Sequence, residues 1–212
     1  MRKPTIVLSL GVLLLVACGP REDAKGTAPV SRGPAPPPVV TAPAPAAGFD
    51  QTLELQGVKF HVTCPNDSSL NQVTITPAGL EIDNSAIVRE ADGTVVGAEI
   101  ADLNVDGSPE LYVYVQSAGS GSYGSLVAFS ANNKKSLSDI VLPPVADDPK
   151  ASKGYMGHDE FAVVESTLVQ RFPIYREGDA NAQPSGKTRQ IQYKLKAGEA
   201  GWVLEADKIV EY

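Results

Sequence analysis

The chain has 212 residues and carries 18 lysines and arginines against 25 aspartates and glutamates, a formal net charge of −7. This acidic balance argues against nucleic acid as a partner, because phosphates select basic surfaces, and it favours cationic partners or simple solubility. Only two cysteines are present, too few for a disulfide framework, so burial of apolar side chains must hold the fold together.

The first residues have the pattern of an export signal. Arg2 and Lys3 precede an apolar run over residues 6–16. This run is too short to cross a bilayer, which takes about 20 apolar residues. We therefore expect residues 1–17 to be a signal peptide, and its removal would leave 16 basic against 25 acidic side chains.

A cysteine ends this segment. The sequence Leu-Val-Ala-Cys at residues 15–18 resembles the cleavage box of bacterial lipoproteins, in which the cysteine is lipidated and becomes the new N-terminus. The alternative is an ordinary signal peptide followed by a chance cysteine. Gly19 is not the aspartate associated with retention in the inner membrane. We therefore expect lipidated Cys18 to anchor the protein to the outer membrane, facing the periplasm.

Residues 18–48 form a Pro/Ala-rich segment after the expected lipid, as in SRGPAPPPVVTAPAPAAG. Such a composition cannot bury enough apolar surface to offset the entropy lost on ordering, and its prolines favour extended chain. We interpret it as a tether. The remaining residues, 49–212, are sufficient for one domain. Within it, Cys64 is expected to be a small buried apolar residue rather than a reactive or dimer-bridging thiol.

Apolar side chains in residues 49–212 recur with a period of two rather than with the helical period. Ten short segments, rich in β-branched and aromatic residues, are predicted as strands: TLELQ, VKFHVT, QVTIT, VVGAEIADL, ELYVYVQ, SLVAFS, FAVVES, LVQRFPIY, RQIQYKL and WVLEA. They predict an all-β domain, an antiparallel β-sandwich or alternatively a partly closed β-barrel. Helical structure is expected only near residues 138–140 and over residues 206–211.

The segment DLNVDGSPE, at residues 102–110, is a candidate calcium loop. Its side-chain oxygens have the spacing of calcium ligands at Asp102, Asn104 and Asp106, with Glu110 available to close the site. The same residue types also form a good hairpin turn, because Asp, Asn and Gly tolerate left-handed backbone. A structural calcium ion and a metal-free turn therefore both stay open, and no other cofactor is expected.

A tyrosine lies inside a tract of serine and glycine in QSAGSGSYGSLVAF, at residues 116–129. The usual hydrolase elbow has a glycine two residues to either side of its serine, a pattern that neither Ser120 nor Ser122 fits. The tract is not a phosphate loop, since no lysine follows it. His61 and His158 lie far apart in the chain and give no metal signature. These patterns do not predict an enzyme.

Three longer stretches are similar to the periplasmic inhibitors of invertebrate-type lysozyme. They are IADLNVDGSPELYVYVQSAGSGSYGSLVAF at residues 100–129, GYMGHDEFAVVE at residues 154–165 and RFPIYREGDANAQP at residues 171–184. The similarity runs over most of the domain, from about residue 49 to residue 212. It departs from the soluble family pattern at the lipoprotein box and the long tether.

The resemblance implies an inhibitor, a protein that makes and breaks no covalent bond. In that family a Ser-Gly-x-Tyr loop enters the lysozyme cleft, and its hydroxyls engage the catalytic carboxylates. Here the motif falls on Ser120, Gly121, Ser122 and Tyr123. The resemblance also implies a β-sandwich, a homodimer and a periplasmic location. The structural alternative is an exposed hairpin turn with Tyr123 folded back onto the domain.

Two other classes of function are kept beside this one. The first is a calcium-stabilised adhesion or envelope-assembly lipoprotein, in which residues 102–110 would be central and the Ser-Gly-Ser-Tyr motif incidental. The second is a cell-wall hydrolase, which the missing nucleophile setting disfavours. The expected partners of the inhibitor are a lysozyme, the membrane through the lipid on Cys18, and a second copy of the chain.

Overall fold

The computed structural model describes residues 48–212, which form twelve strands and one short 3-10 helix. The predictions for the signal peptide, for lipidated Cys18 and for the tether up to residue 47 lie outside the described residues. No helix within residues 48–212 is long and apolar enough to cross a membrane. All ten predicted segments are strands, so the all-β class is confirmed.

The first four strands form one antiparallel sheet in chain order. They are β1 (Phe49–Leu55), β2 (Val58–Cys64), β3 (Leu70–Ala78) and β4 (Ile87–Asp92). Alternate residues of β2 and β3 are buried, as expected for a sheet with one face on a core. Strand β4 was not predicted because it is an edge strand in which only Ala91 is buried, so the apolar alternation is weak.

The other eight strands form a second sheet that curls towards closure. In spatial order they are β5 (Thr94–Ala101), β6 (Glu110–Gln116), β7 (Gly124–Asn132), β8 (Ser136–Val141), β12 (Trp202–Glu211), β11 (Thr188–Ala197), β10 (Thr167–Pro173) and β9 (Glu160–Val164). The two edge strands meet at Glu99, whose carboxylate on β5 accepts the N–H of Val163 on β9 at 2.7 Å. The fold therefore combines a sandwich with a nearly closed barrel.

Strand β6 separates two hydrophobic cores. Leu111, Val113 and Val115 belong to the core that the four-stranded sheet covers. Tyr112 and Tyr114 point the other way, into the core inside the curled sheet. Successive side chains of a strand alternate between its faces. Burial on both faces thus explains why ELYVYV is a continuous apolar run rather than an alternating one.

The two helical predictions are wrong. Residues 138–140 lie in β8, and residues 206–211 lie in β12. The described helix is instead a single 3-10 turn at Val145–Asp147. Strand β12 follows β11 past a bulge at residues 192 and 193, and it pairs in parallel with β8. These long-range pairings override the local helical preference of the two segments.

A buried carboxylate lies at the start of β6. Glu110, at the start of β6, is fully buried. Its Oε2 accepts the N–H of Leu103 at 2.7 Å, and its Oε1 lies 3.4 Å from the hydroxyl of Ser130. Burial raises the pKa of Glu110 from its ordinary 4.5 to about 7, against the opposing hydrogen bond from Leu103. By contrast, Cys64 is buried among apolar side chains, as expected.

Glu110→Gln should remove a pH dependence of stability. Because the pKa of Glu110 is higher in the folded chain, its contribution is complete below pH 4.5 and is lost as the pH rises to about 7. At about 1.4 kcal/mol per pKa unit, the wild type should lose up to roughly 3 kcal/mol relative to the variant over this interval. Urea unfolding with chelator at several pH values measures the difference; parallel profiles would contradict it.

Candidate functional site

The Ser-Gly-Ser-Tyr motif lies in the turn that joins β6 to β7, here called the SGSY loop, residues 117–123. Ser120 is exposed, and Tyr123 has 47% of its surface accessible. Ser122 is half-buried, and Gly121 is buried. The loop therefore offers two hydroxyl-bearing side chains to the surface and turns its glycine towards the protein.

Hydrogen bonds within the SGSY loop fix its shape. The N–H of Ser117 donates to the carbonyl of Tyr123 at 2.9 Å, and the N–H of Tyr123 donates to the hydroxyl of Ser117 at 2.9 Å. The N–H of Ser122 closes a turn on the carbonyl of Gly119 at 3.0 Å. Ser122 has a φ of 43°, a left-handed conformation that is uncommon outside glycine. The loop is thus a defined turn despite its composition.

A second loop, residues 154–158, packs directly on the first. The N–H of His158 donates to the carbonyl of Gly121 at 2.6 Å. A Cβ at Gly157, where φ is +88°, would lie 2.1 Å from that same carbonyl oxygen. A Cβ at Gly121 would lie 2.4 Å from the ring of Tyr123. Glycine at position 157 therefore allows the two loops to approach this closely, and glycine at position 121 leaves room for the ring of Tyr123.

A third segment supports the SGSY loop from another side. The side-chain amide of Asn181 donates to the carbonyl of Ser120 at 2.8 Å, and its Oδ1 lies 3.3 Å from Nε2 of His158. The hydroxyl of Tyr175 donates to the carbonyl of Asn181 at 2.7 Å. The three stretches that carry the family resemblance, far apart in the chain, therefore meet at this loop.

The ring of Tyr123 packs against a neighbouring aromatic ring. It packs edge-to-face against Tyr155, with ring centroids 5.6 Å apart, and Tyr155 packs in the same way against Phe172 at 4.6 Å. Nearly half of Tyr123 nevertheless stays accessible. The ring is therefore supported from below without being folded away into the domain.

A buried carboxylate lies beneath the SGSY loop. Oδ2 of Asp159 accepts the N–H of Gly124 at 2.8 Å and the hydroxyl of Tyr155 at 2.7 Å. Its Oδ1 accepts the side-chain amide of Gln170 at 2.7 Å, and the hydroxyl of Tyr193 donates to Gln170 at 2.6 Å. Burial raises the pKa of Asp159, against the three hydrogen bonds. Sequence reasoning missed this buried hydrogen-bond network around Asp159 because no local sequence pattern marks it.

The acidic loop lies at the other end of β6. Carboxylate oxygens of Asp102, Asp106 and Glu110 come within 4.8 Å of one another. The side chain of Asn104 joins them through a hydrogen bond to Asp106 at 2.8 Å. The structure thus brings together the four residues that the sequence singled out. About 20 Å of strand separates this cluster from the SGSY loop, at 3.3 Å per residue.

The same oxygens also stabilise the turn itself. The carboxylate of Asp102 accepts the N–H groups of Asp106 and Gly107, at 3.0 and 2.9 Å. That of Asp106 accepts the N–H of Ser108 at 2.8 Å. Val105, exposed between them, has a φ of 57°, which is strained for a β-branched residue. The hairpin-turn interpretation therefore has a geometric basis of its own.

Comparison with known proteins adds one finding on the family. Residues 80–153 match the family model described as periplasmic lysozyme inhibitor of I-type lysozyme. No curated protein and no solved structure matches the chain. The matched residues include the acidic loop and the SGSY loop, whereas the two supporting loops follow them in the chain.

The family description also bears on the question of catalysis. It names inhibitor proteins of the periplasm rather than enzymes, in agreement with the prediction that the chain is not an enzyme. Over residues 80–153, about a third of its length, the chain is similar to the family of periplasmic inhibitors of I-type lysozyme.

Proposed function

We propose that this chain inhibits I-type lysozyme by inserting the SGSY loop into the active-site cleft of the enzyme. The observation that carries the proposal is the exposed pair Ser120 and Tyr123 on a narrow turn that two neighbouring loops hold in place. A loop fixed in advance loses little conformational freedom on binding, which favours affinity. Tyrosine supplies a large, stiff contact surface with a polar end, as binding hot spots often do.

The chemistry of the target explains why hydroxyls would be effective. Glycoside hydrolysis by a carboxylate pair needs one carboxyl protonated and the other ionised. The hydroxyl of Ser120 or Tyr123 can donate to an ionised carboxylate, and it can also accept from a protonated one. A hydroxyl bonded to either group would exclude the saccharide and occupy the catalytic residue at once. The acidic charge of the chain would speed encounter with a cationic lysozyme.

A structural calcium ion in the acidic loop is a second proposal. Its support is the closeness of the three carboxylates together with the strained backbone at Val105. Oδ2 of Asp102 already accepts two hydrogen bonds, from Gln56 and Gly107. Oδ1 of Asp102 and both carboxylate oxygens of Asp106 accept one each, so these three oxygens keep a second lone pair for an ion. The ion would stabilise the start of β6, far from the lysozyme contact. The family match lends no support to the alternative of an adhesion or assembly lipoprotein.

Anchoring and assembly complete the proposal. Lipidation of Cys18 would hold the inhibitor at the outer membrane, and the Pro/Ala-rich tether of residues 18–48 would let the domain reach a lysozyme away from the lipid. At about 3.1 Å per residue in extended polyproline chain, the tether would span on the order of 90 Å. A homodimer, implied by the family resemblance, belongs to the same proposal.

Ser120→Ala should weaken inhibition about tenfold or more, and Tyr123→Ala at least about thirtyfold. A hydrogen bond to a charged group contributes roughly 1.5–3 kcal/mol, and truncating a central aromatic often costs 2 kcal/mol or more. Inhibition constants against I-type lysozyme measure both effects. Ser122→Ala is the matched control and should matter less. Full inhibition by the Ser120→Ala, Tyr123→Ala double variant would contradict the insertion mechanism.

Calcium should raise the melting temperature of the wild type by several degrees relative to chelator. An ion that binds only the folded state raises the free energy of unfolding by about 2.7 kcal/mol when its free concentration is about 100 times its dissociation constant. Asp106→Ala should abolish the difference. Asp83→Ala is the control, because Asp83 also accepts a backbone N–H in an exposed turn but lies outside the cluster. Identical wild-type melting curves with calcium and with chelator would favour the metal-free turn.

Cys18→Ala should prevent incorporation of labelled palmitate and leave the precursor uncleaved by the lipoprotein signal peptidase. Cys64→Ala provides the control, since the other cysteine is buried in the domain and should not affect labelling. Metabolic labelling in a bacterial host followed by membrane fractionation tests both variants. A wild-type protein that never takes up palmitate would rule out the anchor.

A further inference from the structure

We infer that Asp159 is the positioning residue of the SGSY loop, an inference that rests on the proposed inhibition. One oxygen of its carboxylate, Oδ2, binds two donors that control different parts of the loop. The N–H of Gly124 fixes where the backbone leaves Tyr123. The hydroxyl of Tyr155 fixes the ring on which Tyr123 packs.

The local packing shows that this contact is built into the chain. A Cβ at Gly124 would lie 2.6 Å from Cβ of Asp159 and 2.6 Å from the ring of Phe161. Any side chain at position 124 would therefore push the strand away from the carboxylate. The glycine that ends the SGSY loop is required by its approach to Asp159, in addition to any freedom it gives the backbone.

The carboxylate is held from behind as well. Gln170 binds its Oδ1, and Tyr193 binds Gln170; both are at least 96% buried. A buried carboxylate is costly to the fold unless hydrogen bonds satisfy it. Here the chain satisfies it with three donors, two of which belong to the SGSY loop exit and to the ring beneath Tyr123. We connect that arrangement with presentation of the loop.

Asn at position 159 can preserve this geometry, which separates positioning from charge. The amide oxygen would accept the bonds of Gly124 and Tyr155, and the amide nitrogen would then face Gln170. A rotation of the Gln170 amide turns its oxygen towards that nitrogen. The side-chain nitrogen of Gln170 then faces the hydroxyl of Tyr193, which can accept a hydrogen bond from it. Asp159→Ala has no such substitute for either bond.

A double-mutant cycle tests the inference on the full chain. Asp159→Ala should weaken inhibition of I-type lysozyme by on the order of tenfold. In a Tyr123→Ala background the same change should have a much smaller effect, because Asp159 acts through Tyr123. The loss of unfolding free energy should be equal in both backgrounds. Asp159→Asn should inhibit within about twofold of the wild type.

Two further variants control for folding. Asn66→Ala removes a buried side chain that binds the N–H and carbonyl of Val95, both at 2.9 Å, in the other core. It should lower stability and leave inhibition unchanged. Tyr155→Phe keeps the ring and removes one bond to Asp159, so it tests the network should Asp159→Ala fail to fold. It should weaken inhibition, and unchanged inhibition would contradict the inference.

Amide hydrogen exchange in the free protein gives a readout that needs no lysozyme. Exchange at Gly124 and Ser122 should accelerate in Asp159→Ala and return towards the wild-type rate in Asp159→Asn. Equal loss of inhibition in both backgrounds of the cycle, or unchanged exchange, would overturn the inference. A wild type that fails to inhibit I-type lysozyme would overturn the proposed function instead, while the exchange experiment would still decide whether Asp159 orders the loop.

Discussion

Burial of β6 on both faces is the constraint on which the rest of the structure depends. Its two sets of side chains enter different cores, so the strand cannot shift by one residue without exchanging the tyrosines for the aliphatic residues. Both candidate sites are attached to its ends: the acidic loop precedes Glu110, and the SGSY loop follows Gln116. A strand buried on both faces therefore sets the position and direction of the surface that we propose for recognition.

The SGSY loop shows that a flexible composition does not make a flexible loop. Serine and glycine tracts often serve as linkers, because nothing in them limits the backbone. Here the small residues allow two other loops to approach within hydrogen-bonding distance. The cost of ordering the turn is met when the domain folds rather than when a target binds, and this preorganisation leaves more of the contact energy for affinity.

Much of the strand content follows from the sequence, whereas the assembly of the site does not. Period-two alternation and turn residues predict ten strands and place the SGSY loop between two of them, because both signals are local. Strand β8 was missed although residues 136–139 pair with β7; its last two residues pair in parallel with β12, some 60 residues later in the chain. The approach of Gly157 to Gly121 has no local signature either. The family resemblance drew attention to the three stretches, but only the structure shows them in contact.

The polar character of the layer beneath the SGSY loop has a physical reason. Serine and glycine give the tip of the loop very little apolar side-chain surface for packing. The neighbouring loops can therefore hold the tip only through its backbone N–H and carbonyl groups. Backbone groups are fixed by hydrogen bonds. Here these hydrogen bonds come from three sides, from Asn181, His158 and Asp159. Asp159 is buried where it accepts the N–H of Gly124 and the side-chain amide of Gln170, which explains why a costly carboxylate lies beneath the loop. The shape that would let the loop enter a cleft and the buried polar network therefore have the same origin.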